Sequence, residues 1–182
     1  GIVSSWLVFI FYFVCYCDNR YLDSVSHRQR HMCKRYSRYI KVIDTSKTIL
    51  NNYQIDEIGK IALISSILKN EFNEWIFCGF YRVVKKELLE IGPYQGSIIP
   101  CGHITFNRGV CGASAKEKQT IIVNDVSKFP GYISCDSQTI SEIVVPVIKD
   151  KKLLEVLDID GSRISQFDAT DKSGLEKIVL LI

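Results

Sequence analysis

The sequence predicts an α+β domain, an antiparallel sheet with helices packed on one side. Three observations carry that prediction. Stretches of helical period open and close the orderly part of the chain. Five short apolar or β-branched runs lie between them. Two pairs of those runs are joined by short polar turns of hairpin form.

The elements follow in order from about Arg38. "IDEIGKIALISSILKN" places Ile55, Ile58, Ile61, Ala62 and Leu68 at helical spacing, so a helix forms there. "WIFCGFYRVV" (75–84) is aromatic and β-branched and reads as a strand. Lys85-Lys86-Glu87 is a polar turn into "LLEIG". The next segment, "GPYQGSIIPCGHITFNRGVCG", is rich in glycine and reads as loop with one short strand. "CGASAKEK" is a short helix and "TIIV" (120–123) a strand. A long loop from Asn124 to Thr139 follows. "EIVVPVI" and "LLEVLDID" flank Lys149-Asp150-Lys151-Lys152 as a hairpin. Asp168 to Ile182 closes the chain as a helix, with Asp168 and Asp171 near its start, where the helix dipole favours acids.

An apolar content of 47% and a charged content of 24% suffice for a sizeable core. The basic excess is local. Residues 1–41 hold seven Lys/Arg against two acids, and residues 42–182 hold sixteen against eighteen. The body thus lacks the basic stripe that a nucleic-acid surface needs, and no nucleic-acid partner is expected. The chain is read as an N-terminal extension, 1–41, and a domain, 42–182. The extension starts with an uncharged run, twelve consecutive apolar residues from Trp6 to Cys17, and continues with basic residues. The run is shorter than the ~20 residues of a spanning helix and lacks the basic start of a signal peptide. Its form is that of a membrane anchor on a cytoplasmic body, or of a fragment, since the chain does not start with Met.

Seven cysteines in irregular spacing, odd in number and without a CxxC pair, argue against both a secreted disulfide framework and a zinc site. Cys78 sits in an apolar run and reads as a core residue. Cys101, Cys111 and Cys135 sit in polar, glycine-rich surroundings, where thiols are more often reactive. Cys111 is at the start of a predicted helix, and the dipole there would lower its pKa. Spacing alone does not bring the three together. Among the acids, "VLDIDG" puts Asp158 and Asp160 on one face of a strand, because side chains two apart point the same way. Glu142 opens the preceding strand, and a hairpin would carry it to one of them. Three clustered carboxylates repel, so at least one would hold a proton at neutral pH.

"IGPYQG", "GVCG", "VNDVSKFPGYISCD", "SEIVVPV", "LDIDG" and "FDATDKSGLE" occur in that order over roughly residues 50–182. Together they resemble the free methionine-(R)-sulfoxide reductases, which are built on a GAF fold. The resemblance implies a GAF-like antiparallel sheet and thiol-dependent reduction of free L-methionine-(R)-sulfoxide. It implies Cys135 as nucleophile and Cys101 as resolving partner, through a sulfenic acid and an intramolecular disulfide, with Cys111 the alternate for either role. It implies that Glu142, Asp158 and Asp160 bind the substrate ammonium and supply acid near the sulfoxide oxygen, with Phe77 and Tyr81 on the strand completing the pocket. No bound cofactor is implied; reducing equivalents come from thioredoxin and NADPH, and a homodimer is the family expectation. A GAF-type sensor that binds a small ligand without turnover is the alternative.

The pattern is departed from at several places: Asn107 replaces a glycine, one extra residue lies between Gly96 and Cys101, and three further changes bear on the pocket and the sheet. Phe77 stands where the family has Trp, with Trp75 expected on the same face as a partial replacement. Tyr132 replaces a His. Glu155 replaces a Gly just before "VLDID", where a side chain would crowd the sheet. His103 reads as a solvated loop residue and Tyr94 as a packing aromatic.

Overall fold

Two hairpins and the strand order between them build the frame. The structure is a computed structural model, and it describes residues 27–182. Helix α1 (His27–Asn52) is followed by α2 (Glu57–Glu71), whose N-cap Asp56 accepts a hydrogen bond from the Gly59 amide at 2.7 Å. Strands β1 (Phe77–Lys85) and β2 (Leu88–Gly96) form the first hairpin, and β3 (His103–Thr105) is the short strand. Then come α3 (Gly109–Glu117), β4 (Ile121–Val123), one 3₁₀ turn (Val126–Lys128), β5 (Ser141–Lys149), β6 (Lys152–Gly161) and α4 (Ala169–Val179). The "GPYQG" segment expected as loop is the second half of β2. Its pairing partners Cys78 and Phe77 hold it in the ladder despite two glycines and a proline.

The six strands pair antiparallel in the order β3-β2-β1-β6-β5-β4. The turn from β5 to β6 is only Asp150-Lys151, both with positive φ (50° and 64°), the two-residue form whose twist matches the strands. Pro146 is tolerated inside β5 because β4 pairs only as far as Val144, which leaves that end of β5 without an outer neighbour.

Alternation along the strands divides the core in two. Cys78 and Phe80 of β1, Ile143 and Val145 of β5, and Leu157 and Ile159 of β6 face α1, α2 and α4. Phe77 and Tyr81, Val144, and Val156 face the other way, toward α3 and the loops. Three helices therefore share one side, as expected, and the short α3 lies on the opposite face.

The position of α1 bears on the boundary expected between residues 41 and 42, which falls inside this helix. Tyr39 is fully buried, and its hydroxyl donates to Asp171 Oδ1 at 2.8 Å. Arg35 reaches Asp171 Oδ2 at 2.8 Å and Asp168 at 3.1 Å. Arg38 bonds Glu74 at 2.7 Å and lies over the Phe72 ring. A Cβ at Gly174 would run into the Tyr39 ring, so glycine is what lets α4 meet α1 this closely. The basic residues of this stretch thus serve packing within the domain. No helix among the described residues is long and apolar enough to cross a membrane, and the apolar run Trp6–Cys17 lies outside those residues.

Asp171 is also the third residue of α4 and accepts the Asp168 amide at 2.8 Å, completing a capping box. Asp171→Ala is expected to cost about 2 kcal/mol, from the lost cap and a buried tyrosine hydroxyl left unpaired. A thermal melt should show a Tm lower by roughly 4–8 °C.

Candidate active site

The site lies on the sheet face opposite α1, α2 and α4. Its floor comes from the three central strands β1, β6 and β5. Asp160 is opposite Phe77 on one side and Glu142 on the other, while Asp158 is opposite Gly79 and Val144. The two-residue spacing of "LDID" thus turns both aspartates onto one face, and the β5–β6 hairpin brings Glu142 beside them. Gly79 leaves space here: a Cβ would meet the Phe77 ring and Tyr94. The walls are the start of α3, with Cys111, and the segment before β3. The loop before β5 forms the roof, with Tyr132, Cys135 and Thr139. The cavity, partly open to solvent, is about 30 Å³.

The roof is tied at several points. The Gly109 amide donates to Gly131 O at 3.1 Å, and Val126 N to Ile140 O at 2.9 Å. Asp136, beside Cys135, turns its carboxylate into the loop, where it accepts from the Thr139 amide at 3.1 Å and the Thr139 hydroxyl at 2.7 Å. Asp136 therefore shapes the turn that presents Cys135. Cys135 is joined to Cys101 by a disulfide, with Cα atoms 5.4 Å apart, across 34 residues of sequence.

Cys111 stays a free thiol, as does Cys78, which is wholly buried in the helix-side core. The Cys111 thiol points to Glu142 Oε1 at 3.8 Å. The helix-start argument for a lowered Cys111 pKa is corrected here. The residue is fully enclosed, and burial, then the charges of Asp158 and Glu142, push its thiol well up. Desolvation outweighs the dipole of a nine-residue helix.

Burial likewise pushes Glu142 and Asp160 well above the usual carboxylate range, with the Asp158 charge adding to each. Asp158 is pushed up to about 6, again by burial, opposed by its contacts with Cys111 and Glu142. No lysine or arginine lines the cavity to hold these groups ionised. The site therefore stores exchangeable protons beside a cysteine pair joined as a disulfide, an arrangement suited to protonating an oxygen that leaves a small polar ligand.

Seven of the eight residues expected from the sequence line this one cavity: Cys111, Cys135, Glu142, Asp158, Asp160, Phe77 and Tyr81. The eighth, Cys101, is reached through its bond to Cys135. Trp75 does not stand in beside Phe77. It precedes β1, so strand alternation does not govern it, and it stacks on Phe72 at 4.2 Å in the helix-side core. Tyr94 instead stacks on Phe77 at 5.5 Å. His103 is exposed and pairs with Glu90 at 3.0 Å, away from the cavity. Thr139 was missing from the expected set, and Tyr132 was noted only as the replacement for a family His. Tyr132 stands in the roof, its hydroxyl held protonated by burial and by the charges of Glu142 and Asp160. Its place two residues after Pro130 in the loop carrying Cys135 was the available signal.

No family model matches the chain. It is 40% identical over 140 residues to the free methionine-R-sulfoxide reductase of Saccharomyces cerevisiae, covering 73% of this chain and 77% of that one. It is 37% identical over 149 residues to GAF domain-containing protein A of Dictyostelium discoideum, covering 82% of this chain and 90% of that one. Among solved structures, it superposes on the free methionine-R-sulfoxide reductase from Neisseria meningitidis in complex with its substrate, with a TM-score of 0.74 and 34% identity, covering 79% of this chain and 84% of that one. With the cysteine pair and the acidic floor in one cavity, this likeness places the chain among the free methionine-R-sulfoxide reductases, enzymes built on a GAF domain.

Proposed function

We propose that the chain reduces free methionine-R-sulfoxide with Cys135 as the nucleophile and Cys101 as the resolving thiol. The observation that carries this reading is the Cys101–Cys135 bond at the mouth of a cavity floored by proton-holding acids. In the first step the Cys135 sulfur attacks the sulfoxide sulfur. An S–S bond forms, two protons from the acid cluster go to the sulfoxide oxygen, and that oxygen leaves as water as its bond to sulfur breaks. Attack of water on the Cys135 sulfur then makes the S–O bond of a sulfenic acid, breaks the S–S bond and releases methionine, so cysteine is oxidised by two electrons as the sulfoxide is reduced by two. Cys101 then attacks Cys135, water leaves and the disulfide forms. A thioredoxin-class dithiol restores both thiols by exchange, with NADPH as the ultimate donor.

Glu142 is opposite Asp160 across the β5–β6 ladder and turns its carboxylate toward Asp158, and the three acids fit the roles of ammonium partner and proton source. Phe77 and Tyr81 would pack against the methyl-bearing end of the substrate. Cys135 lies in the roof of the cavity, so reduction of its bond to Cys101 would loosen the loop that covers the site.

A single-turnover experiment tests the reading. The reduced protein, freed of reductant, is mixed with free L-methionine-R-sulfoxide. One methionine per chain should appear, together with a Cys101–Cys135 disulfide in a peptide map. A folded, reduced protein that releases no methionine would overturn the reading and leave a GAF-type binding module.

A further inference from the structure

Resting on the reductase reading, in which a protein dithiol reduces the Cys101–Cys135 bond, we infer that this dithiol attacks the sulfur of Cys101 and not that of Cys135. It reaches that sulfur across the exposed side chain of Ile99, beside the open edge of the sheet.

Both cysteines are partly buried, so exposure alone does not choose between them. Their surroundings do. Cys135 lines the cavity together with Glu142 and Asp160, and Cys101 does not. The loop of Cys135 is also tied down, because Asp136 accepts from the Thr139 amide at 3.1 Å and the Thr139 hydroxyl at 2.7 Å. Cys101 lies on a more open stretch. Ile99, two residues before it, is 81% exposed, more than any other large apolar side chain among the described residues. A Cβ on Gly102, the residue after it, would meet nothing within 4 Å. The next three residues are β3, the terminal strand of the sheet, which pairs only with β2 among the described residues. The free side of β3 offers backbone groups to an extended segment of a partner. Covering Ile99 would remove apolar area from water, and a folded protein does that where a small thiol does not.

The exchange chemistry points the same way. A thiolate of the partner attacks Cys101, a partner–Cys101 S–S bond forms, and the Cys101–Cys135 bond breaks with its electron pair on Cys135. Cys135 departs beside Glu142 and Asp160, whose carboxyls burial keeps protonated, so a proton is at hand for the leaving sulfur. The partner's second thiol then attacks the partner's own first sulfur, and Cys101 leaves as a thiol. The chain gains two electrons and two protons, and the partner's dithiol becomes a disulfide. Attack on Cys135 would instead expel Cys101, which does not line the cavity that holds these acids.

The full-length chain is oxidised with diamide, so that the bond forms without sulfoxide turnover. It is then mixed with a thioredoxin whose second active-site cysteine is serine, quenched in acid and peptide-mapped. The expected product has thioredoxin bonded to Cys101 and Cys135 as a free thiol. Thioredoxin bonded to Cys135 overturns the inference. Where Cys135 expels the partner before the quench, thionitrobenzoate adducts decide. The adduct on Cys101 in Cys135→Ser should release thionitrobenzoate to thioredoxin at least about tenfold faster than the adduct on Cys135 in Cys101→Ser. Equal or reversed rates overturn the inference. Ile99→Ser should slow reduction of the native bond by wild-type thioredoxin about fivefold and leave its reduction by a small phosphine unchanged. An unchanged thioredoxin rate overturns the approach across Ile99. Failure of the reductase reading shows separately, as a reduced chain that releases no methionine in single turnover.

Discussion

Cys135→Ser is expected to abolish thioredoxin-coupled reduction of free methionine-R-sulfoxide, with a loss of more than about 10³-fold in kcat/KM. A serine hydroxyl is a far weaker nucleophile toward sulfur at neutral pH, and it cannot carry the oxygen forward as a sulfenic acid. The two candidates for the nucleophile, Cys111 and Cys135, differ in their surroundings. Cys111 is enclosed, and burial plus the nearby Asp158 and Glu142 keep its proton in place, which suppresses the thiolate that attack requires. Cys135 is half-buried on a loop and already within bonding distance of Cys101. Cys111→Ser should therefore retain measurable turnover. Cys101→Ser should still release one methionine per chain but leave Cys135 as a sulfenic acid that a dimedone-type reagent traps. Turnover that survives Cys135→Ser and vanishes in Cys111→Ser would move the nucleophile to Cys111.

These distinctions show which parts of the site the sequence could reveal. The spacing of Asp158 and Asp160 dictates a shared face through strand geometry alone, and the β5–β6 hairpin then carries Glu142 alongside, because its two-residue turn fixes the register. The approach of Cys101 to Cys135 is different. It depends on β3 and β4 taking opposite edges of the sheet with α3 crossing the face between them, and no local pattern encodes that; the family resemblance supplied it. Trp75 was misplaced because the two-residue period was extended past the end of the strand, where Phe72 and Phe167 offer an aromatic cluster instead. Cys111 was misjudged because sequence shows where a helix starts but not how deeply it is buried, and burial decides the pKa. The α1 packing was hidden for a related reason. Arg35 and Arg38 look like solvated charge until the acids of α4 and the turn after α2 are brought against them.

The buried side of the sheet yields the last prediction. Glu155, at a position where related sequences were expected to carry glycine, is 1% exposed and faces the helices from β6, opposite Arg82 of β1 and Val147 of β5. Neither carboxylate oxygen has a hydrogen-bond partner. Burial, with the Glu57 charge adding and Arg82 opposing, pushes its pKa from the ordinary 4.5 to about 7. Between those values the folded chain holds a proton that the unfolded chain releases, so stability falls as pH rises from about 4.5 to about 7 and stays lower above. The shift corresponds to about 3 kcal/mol lost at alkaline pH. Glu155→Met fills a similar volume without a charge and should recover that amount, raising the Tm at about pH 8 by roughly 5–10 °C. Near pH 4 the wild-type carboxyl is neutral and the charge-linked part of the gain should disappear. A gain equal at both pH values would mean that Glu155 pairs its charge in the folded chain and that packing alone explains the difference. A gain confined to the alkaline side would identify Glu155 as a carboxylate that the fold tolerates at a measurable cost in stability, on the face of the sheet away from the redox site.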